Sequence, residues 1–285
     1  MPFPSSKPTN TLRTPAGQMA YTDVGEGPPV VLLHGNPTNA RLYRHLLQTL
    51  APQHRCIAPD YLGFGRSEAP ADFSYRPPAH ATLVETLLRH LDLTNLTLVL
   101  HDWGGPIGLS YALRHPKTVR RLVLMNTCAW PLDRRPFVRL FSTVAGTPLG
   151  RLSIERFNAF ARLIMPLTLG RFPNRRPAWI DPYADALDTP ARRRACWTFA
   201  RSLIRETAWL RTLWTHRARL HDCPTLLCWG MADPAFGTEA TLRRWQSLFP
   251  QAETCRWTNV GHYVPEEMGP ALVPPVRAFL RSTAS

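Results

Sequence analysis

Short apolar runs that end at turn residues alternate along this chain with longer amphipathic stretches. This alternation is typical of strands and helices that follow one another in a mostly parallel sheet. The pattern predicts an antiparallel lead-in strand over 18–23 and helices over 40–50, 80–91, 106–114, 238–248 and 271–281. The predicted strands of the main sheet are 29–33, 56–58, 96–100, 122–125, 225–228 and 254–257. We therefore predict an α/β fold with a central, mostly parallel sheet flanked by helices.

The alternation is interrupted between the strand that ends near Met125 and the strand that begins near Thr225. The intervening stretch is rich in Arg, Pro, Leu and Trp, and it is helical where it is periodic. It is too long for a plain crossover connection. We predict a helical cap over 130–217, inserted into a core domain made of 1–129 and 218–285. Open α/β sheets bind ligands at the carboxyl ends of their strands, so the cap is expected to lie there.

The composition supports one globular core, because 44% of the 285 residues are hydrophobic and 19% are charged. The first residues contain no apolar signal-peptide segment, and no run of eighteen apolar residues occurs, so we predict a cytoplasmic protein and leave a periplasmic location open. The six cysteines show no metal-ligand spacing, which favours free thiols over disulfides or a zinc site.

The chain is strongly basic, with a formal net charge of +14. Only Lys7 and Lys117 are lysines, so 32 of the 34 basic residues are arginines. No sequence signature of a nucleic-acid-binding module accompanies them. We interpret the arginines as a solvated surface and predict neither a nucleic-acid nor a membrane partner, while an anionic partner stays an alternative.

The candidate chemistry begins where the apolar run 96–100 leads into His101-Asp102-Trp103-Gly104-Gly105. A strand followed by a sharp turn and a helix is the setting of the nucleophile elbow of hydrolases, in which the nucleophile is usually serine. Here Asp102 takes that position. The alternative interpretation is that Asp102 only caps the helix that follows, as aspartate commonly does.

Three further motifs favour the catalytic interpretation. His34-Gly35-Asn36-Pro37 follows the strand 29–33, where this fold supplies an oxyanion N–H group. The segment 229–234 places Asp233 after a strand, and the segment 261–266 places His262 near the carboxyl terminus. The order nucleophile, acid, histidine is that of hydrolases built on this kind of sheet. We predict a triad of Asp102, Asp233 and His262.

These motifs resemble those of the haloalkane dehalogenases, and the resemblance covers essentially the whole chain. It implies an α/β-hydrolase fold and a cofactor-free, metal-free hydrolase that converts a small neutral haloalkane and water into an alcohol and a halide. By the same resemblance, Asp102 forms an ester, His262 activates water, Asp233 orients His262, and Asn36 and Trp103 bind the halide.

The triad acid has two known locations in the family that the chain resembles. The first, at the end of the strand before the cap, carries Asn126 and no carboxylate. We therefore assign the acid to Asp233, with Asp222 or Glu266 as alternatives. One departure from the family pattern is Leu100, which is larger than the usual residue and is expected to crowd the elbow.

Two rival functions stay open. Epoxide hydrolases share the elbow but use two cap tyrosines as acids, whereas the predicted cap contains only Tyr183. A catalytically silent ligand receptor would keep the pocket without turnover. The candidates for an apolar pocket lining in the cap are Phe137, Phe141, Phe157, Phe160, Leu163, Trp179 and Trp197. For each of them, ordinary core packing is the preferred interpretation over contact with a substrate.

Overall fold

A computed structural model describes residues 10–70, 72–170 and 177–282 of the chain. The first nine residues, on which the prediction about a signal peptide depends, lie outside the described part. So do residues 171–176 of the predicted cap.

Eight strands form one sheet in the order β1-β2-β4-β3-β5-β6-β7-β8. Strands β1 and β2 are antiparallel to their neighbours, and the remaining strands are parallel to one another. The strands are β1 (Asn10–Thr14), β2 (Gly17–Val24), β3 (Pro29–Leu33), β4 (Arg55–Pro59), β5 (Leu96–His101), β6 (Val119–Met125), β7 (Thr225–Gly230) and β8 (Glu253–Trp257).

Helices cover both faces of the sheet, and those between β6 and β7 form the cap region. A π-helical segment, Phe160–Ile164, lies in this region directly before the short helix Met165–Leu167. The α-helices are α1 (Arg44–Leu50), α2 (Pro77–His90), α3 (Gly104–Arg114), α4 (Pro136–Ala145), α5 (Pro148–Phe157), α6 (Met165–Leu167), α7 (Asp181–Ala186), α8 (Pro190–Arg205), α9 (Thr207–Thr215), α10 (Glu239–Leu248), α11 (Val264–Met268) and α12 (Val273–Arg281).

The central strands are buried on both sides, as their nearly continuous apolar sequence predicts. Every residue of β5 and β7 is buried. Alternate residues of the strands enter two separate apolar clusters: Leu98 and Leu100 pack with α2, α3 and the cap region, while Val99 packs with α1 and α12 on the other face. The cap region therefore shares one core layer with the sheet.

The predicted fold class and the predicted main-sheet strands are confirmed, with boundaries that differ by up to three residues. The sequence prediction missed β1, which pairs with β2 at the sheet edge. Its alternating residues bury little apart from Leu12, so its apolar signal is weak. The helix predicted over 40–50 is split into a short 3-10 turn, Ala40–Tyr43, and α1.

Within the described residues, no helix is both long enough and apolar enough to cross a bilayer. The division into a core of 1–129 and 218–285 and a cap of 130–217 stays a prediction. Helices α4 to α9 all lie within the predicted cap limits.

Candidate active site

All five predicted site residues lie just beyond the carboxyl ends of sheet strands, and the fold brings them together. Asn36 follows β3, and Asp102 and Trp103 follow β5. Asp233 follows β7 and His262 follows β8. Four separate loops therefore build the site at one edge of the sheet, where open α/β sheets place their ligands.

Asp102 occupies a sharp turn between β5 and α3. Its φ of 49° lies in the left-handed region, which a non-glycine residue adopts only when the surrounding structure holds it there. The backbone N–H of Asn36 donates to its Oδ2 atom at 2.8 Å, and Thr127 Oγ1 donates to its backbone oxygen at 2.5 Å. The carboxylate is thus held in place without capping α3 through its side chain. This geometry disfavours the alternative of a purely structural N-cap.

Glycines allow the close approach of the segments around this turn. A Cβ atom at Gly35 would lie 2.4 Å from Oδ2 of Asp102, and a Cβ at Gly104 would lie 2.0 Å from the backbone oxygen of Leu33. The side chain of Leu100, which was expected to crowd the elbow, lies against Gly108 of α3. There a Cβ would lie 2.4 Å from a Leu100 methyl carbon.

His262 stands between two carboxylates. Its Nδ1 atom lies 2.8 Å from Oδ2 of Asp233, and its Nε2 atom lies 3.9 Å from Oδ1 of Asp102. The backbone oxygen of His262 accepts a hydrogen bond from the His101 ring at 2.8 Å, and its backbone N–H donates to Thr168 in the cap region. One ring nitrogen is oriented by Asp233, and the other faces Asp102.

Asn126 contacts the predicted triad acid, and sequence reasoning missed this contact. Its Nδ2 donates to Oδ2 of Asp233 at 2.8 Å, and its amide also bonds both backbone groups of Gly230. The two family locations for the acid are therefore neighbours in space. The one signal in the sequence was that position 126, the family location without a carboxylate, carries asparagine, the uncharged amide of aspartate.

The alternative acids lie elsewhere. Glu266 is buried and bonds Arg44 and the Tyr183 hydroxyl. Asp222 is exposed and contacts His221. Neither makes a hydrogen bond to His262 in the described part of the chain.

The charges of the triad residues stabilise one another. Burial disfavours ionisation of Asp102 and Asp233, but hydrogen bonds and the charge of His262 outweigh it, so both carboxyl pKa values are lowered. Burial also disfavours the imidazolium, yet the charge of Asp233 and the contact with Asp102 raise the pKa of His262. Burial lowers the pKa of the adjacent His101 to about 4, which keeps that ring neutral. The two carboxylates on either side of His262 therefore favour the protonated form of its ring in the free site.

An apolar cavity of about 90 Å³ adjoins these groups. Asp102, Trp103, Asn36 and His262 form its polar end. Its other walls come from the cap region and from the loops after β7 and β8. Its principal apolar lining residues are Val138, Phe141, Phe160, Ile164, Leu203 and Phe236.

Three of the seven apolar candidates for the pocket lining do line the cavity, and four do not. Phe137, Phe141 and Phe160 do line it. The prediction is wrong for Phe157 and Leu163, whose side chains are exposed on the outer surface of the cap region. Trp179 and Trp197 do not line the pocket and pack against other residues, as the preferred interpretation of core packing expects. Trp179 contacts Tyr183 and Tyr263, and Trp197 donates to the backbone oxygen of Ala145.

Two side-chain donors face the cavity. The indole N–H of Trp103 makes no hydrogen bond within residues 10–70, 72–170 and 177–282, although the ring itself is buried. Nδ2 of Asn36 donates to the backbone oxygen of Cys196 at 3.2 Å, which leaves its second hydrogen available. An anion at this end of the cavity would meet both donors.

Tyrosines occupy different positions from those that the epoxide hydrolase alternative requires. Tyr183 is fully buried and bonds Glu266, away from the cavity. Tyr263, which sequence reasoning missed, lines the cavity, but its hydroxyl donates to the backbone oxygen of Asn36 at 3.1 Å. No pair of cap tyrosines faces Asp102 among the described residues.

Comparison with known proteins agrees with this geometry. The profile of the alpha/beta hydrolase fold family matches residues 28–267. The chain is 35% identical to haloalkane dehalogenase 2 of Mycobacterium tuberculosis over 252 residues, which cover 88% of this chain and 87% of that protein. It is also 35% identical to a cis-3-alkyl-4-alkyloxetan-2-one decarboxylase of Xanthomonas campestris pv. campestris, over 93% of each chain. Among solved structures, it resembles the haloalkane dehalogenase DatA of Agrobacterium tumefaciens C58, with a TM-score of 0.82, 26% identity and 96% of each chain covered.

Proposed function

Since the chain belongs to the alpha/beta hydrolase fold family, as a haloalkane dehalogenase-like member, we propose that it hydrolyses the carbon–halogen bond of small neutral haloalkanes. The observation that carries the proposal is the placement of the Asp102 carboxylate. It lies between the Asn36 N–H and His262 and adjoins an apolar cavity with two unengaged donor hydrogens.

In the first step, Asp102 attacks the carbon that bears the halogen. A carboxylate oxygen forms an ester bond to that carbon, the carbon–halogen bond breaks, and the halide leaves with the bonding pair. The leaving halide needs hydrogen-bond donors and no base. Trp103 Nε1 and Asn36 Nδ2 supply them at the polar end of the cavity.

In the second step, His262 takes a proton from water as the water oxygen attacks the carboxyl carbon of the ester. The bond between that carbon and the alkoxide oxygen then breaks, the proton on His262 passes to the alkoxide to give the alcohol, and Asp102 loses the remaining proton to solvent and regains its carboxylate. Alkylation of Asp102 has removed one of the two negative charges that raise the pKa of His262, so esterification lowers this pKa. The imidazolium then releases its proton to solvent, and the neutral imidazole that remains can act as the base of the second step. Asp233 keeps the ring oriented, and the Asn36 N–H stabilises the oxyanion.

The size of the cavity favours a short substrate. At about 90 Å³ it is smaller than the engineered cavities of ~150 Å³ that hold benzene. A haloalkane with a few carbon atoms matches this space. The apolar walls strip water from the carboxylate and favour an uncharged molecule.

A halide-release assay tests the proposal. The purified protein should release bromide from 1-bromobutane or 1,2-dibromoethane and form the matching alcohol. Diol formation from styrene oxide without bromide release would favour the epoxide hydrolase alternative. Saturable binding of the bromoalkane without any product would favour the silent receptor.

A second candidate function is decarboxylation of a β-lactone. It is favoured by the similarity to the oxetanone decarboxylase, which covers 93% of this chain and 93% of that protein. On a β-lactone, Asp102 would displace the ring oxygen from the sp³ carbon and form an ester with a free carboxylate. Loss of CO₂ as the ester bond breaks would give an alkene and restore Asp102. This route consumes no water, so alkene and CO₂ as products distinguish it. Two alkyl chains would have to extend beyond the cavity.

The halide site predicts a change in fluorescence. Bromide or iodide should quench part of the tryptophan emission saturably, and Trp103→Phe should weaken halide binding about tenfold or more, because one hydrogen bond to an ion is lost. Trp209→Phe, which removes a fluorophore outside the cavity, serves as the control. Purely linear quenching in the native protein and both variants would exclude a halide site.

The acid assignment predicts that Asp233→Asn slows ester hydrolysis by about 10³-fold or more and alkylation much less. The reason is that the carboxylate stabilises the imidazolium that forms in the second step. Rapid-quench kinetics separate the two steps. Asn126→Ala should have a smaller effect, since in the described part of the chain the side-chain hydrogen bonds of Asn126 go to Asp233 and Gly230, not to His262. Near-normal turnover of Asp233→Asn together with inactive Asn126→Ala would overturn the assignment.

A further inference from the structure

The large apolar side chains that the protein exposes are concentrated in one segment, 137–167. Among the described residues, all eight side chains of this kind lie there, with exposed fractions from 52% to 78%. Helix α4 carries Phe137, Leu140 and Val144, and α5 carries Leu149, Leu152 and Phe157. Leu163 and Leu167 follow. We call these eight side chains the apolar face.

Helix α4 shows that this exposure is separate from core packing. Its buried residues Val138, Ser142 and Ala145 lie on the side that packs against α8, where Ser142 donates to backbone oxygens of α8. Phe137, Leu140 and Val144 are spaced i, i+3 and i+7, which places them on another side of the same helix. That second apolar stripe has no partner in the described part of the chain.

The apolar face borders the mouth of the active-site cavity. Phe137 belongs to both, since it lines the cavity and is 56% exposed. Ile164, next to the exposed Leu163, also lines the cavity. Between these two segments, Phe141 and Phe160 contact each other at 6.0 Å between ring centroids.

Positive charge accompanies the apolar face. Arg139, Arg156 and Arg162 are exposed within the same segment and form no ion pair with another described residue. Glu155 is the only carboxylate of segment 137–167, and it is engaged by Arg151 and Arg194. Over the whole of 130–217, sixteen arginines against six carboxylates give a net charge of +10, out of +14 for the chain.

We propose that the apolar face binds the surface of an anionic phospholipid bilayer. Exposed Phe and Leu side chains with arginines beside them match the acyl boundary and the anionic headgroups of such a surface. A second copy of the chain fits less well, because face-to-face contact would bring two strongly positive cap regions together. No membrane partner was predicted from the sequence, because it contains no membrane-spanning segment. Peripheral binding to a bilayer requires only an exposed apolar surface. Bound in this way, the protein would present its cavity mouth to apolar molecules dissolved in the bilayer.

Vesicle flotation tests the proposal with the full chain. The probes are vesicles of equal parts phosphatidylcholine and phosphatidylglycerol, and vesicles of phosphatidylcholine alone. The native protein should float with the anionic vesicles and detach as salt is raised. The triple variant Arg139→Ser, Arg156→Ser, Arg162→Ser should bind them about 100-fold more weakly, at about fivefold for each cation at such a surface. The matched control replaces three exposed arginines outside the cap region, Arg89→Ser, Arg120→Ser and Arg277→Ser. It should bind nearly as the native protein does.

A second triple variant, Leu140→Asn, Leu149→Asn, Leu167→Asn, removes apolar area without touching the cavity lining and should also lose flotation by about tenfold or more. Thermal unfolding verifies that each variant is folded. Equal binding to both vesicle types, no binding, or equal loss in the core control would overturn the proposal. So would a native dimer, seen by ultracentrifugation, that this leucine variant dissociates. Flotation needs no turnover, so its result is independent of the proposed reaction.

Discussion

Asp102→Ala should abolish turnover of 1-bromobutane, with a loss of at least about 10⁴-fold, because no other carboxylate in the described structure can form the ester in its place. The side chain contributes a nucleophile and little core volume. Its removal should leave the fold intact, although it also removes the acceptor for the Asn36 N–H. Bromide release at saturating substrate measures the effect.

Asp222→Ala is the matched control, since Asp222 is an exposed aspartate that does not line the cavity. This control should retain native activity. Circular dichroism and thermal unfolding of the Asp102 variant should resemble those of the native protein. Measurable turnover by folded Asp102→Ala would remove Asp102 from the nucleophilic role, and with it the proposed mechanism.

His262→Phe should trap the intermediate. Alkylation needs only the carboxylate and the halide donors, whereas hydrolysis needs the base, so the ester should accumulate on Asp102. Steady-state turnover should fall by about 10⁴-fold while one equivalent of bromide is released in a burst. Intact-protein mass spectrometry should find one alkyl group per chain, and peptide mapping should place it on Asp102.

Phenylalanine suits this position because the His262 ring is buried among aromatic neighbours, with its centroid 5.8 Å from that of Phe236 and 4.9 Å from that of His101. His221→Phe, at an exposed histidine, is the control and should turn over normally without an adduct. An unmodified mass for folded His262→Phe after prolonged exposure to the bromoalkane would contradict an ester intermediate.

The strands and the elbow could be predicted from the sequence because their signals are local. A buried parallel strand is a short apolar run, and Asp102 directly follows one. The position of Asn126 against Asp233 could not be predicted, because it depends on the pairing of β6 with β7 across a cap of unknown structure. The same holds for Tyr263, whose hydroxyl reaches Asn36 only through the register of distant loops.

The cap region shows a second reason for the limits of sequence reasoning. Apolar periodicity in a helix tells which residues share a side but does not tell which side is buried. In α4, one apolar side packs on α8 and the other is exposed. The apolar character of Phe157 and Leu163 indicated either core packing or the pocket lining, and the structure places both side chains at the surface instead.

The contact between Asn126 and Asp233 bears on how the position of the triad acid could change during evolution. Asparagine and aspartate have nearly the same shape, and their codons differ by one base. If position 126 became aspartate and position 233 became asparagine, the negative charge would move by about the length of a hydrogen bond. A lineage that passes through a form with two aspartates would therefore retain a carboxylate at one of these two neighbouring positions at every step. The acid can thus change strands by point mutation alone, without insertion, deletion or rearrangement of the chain.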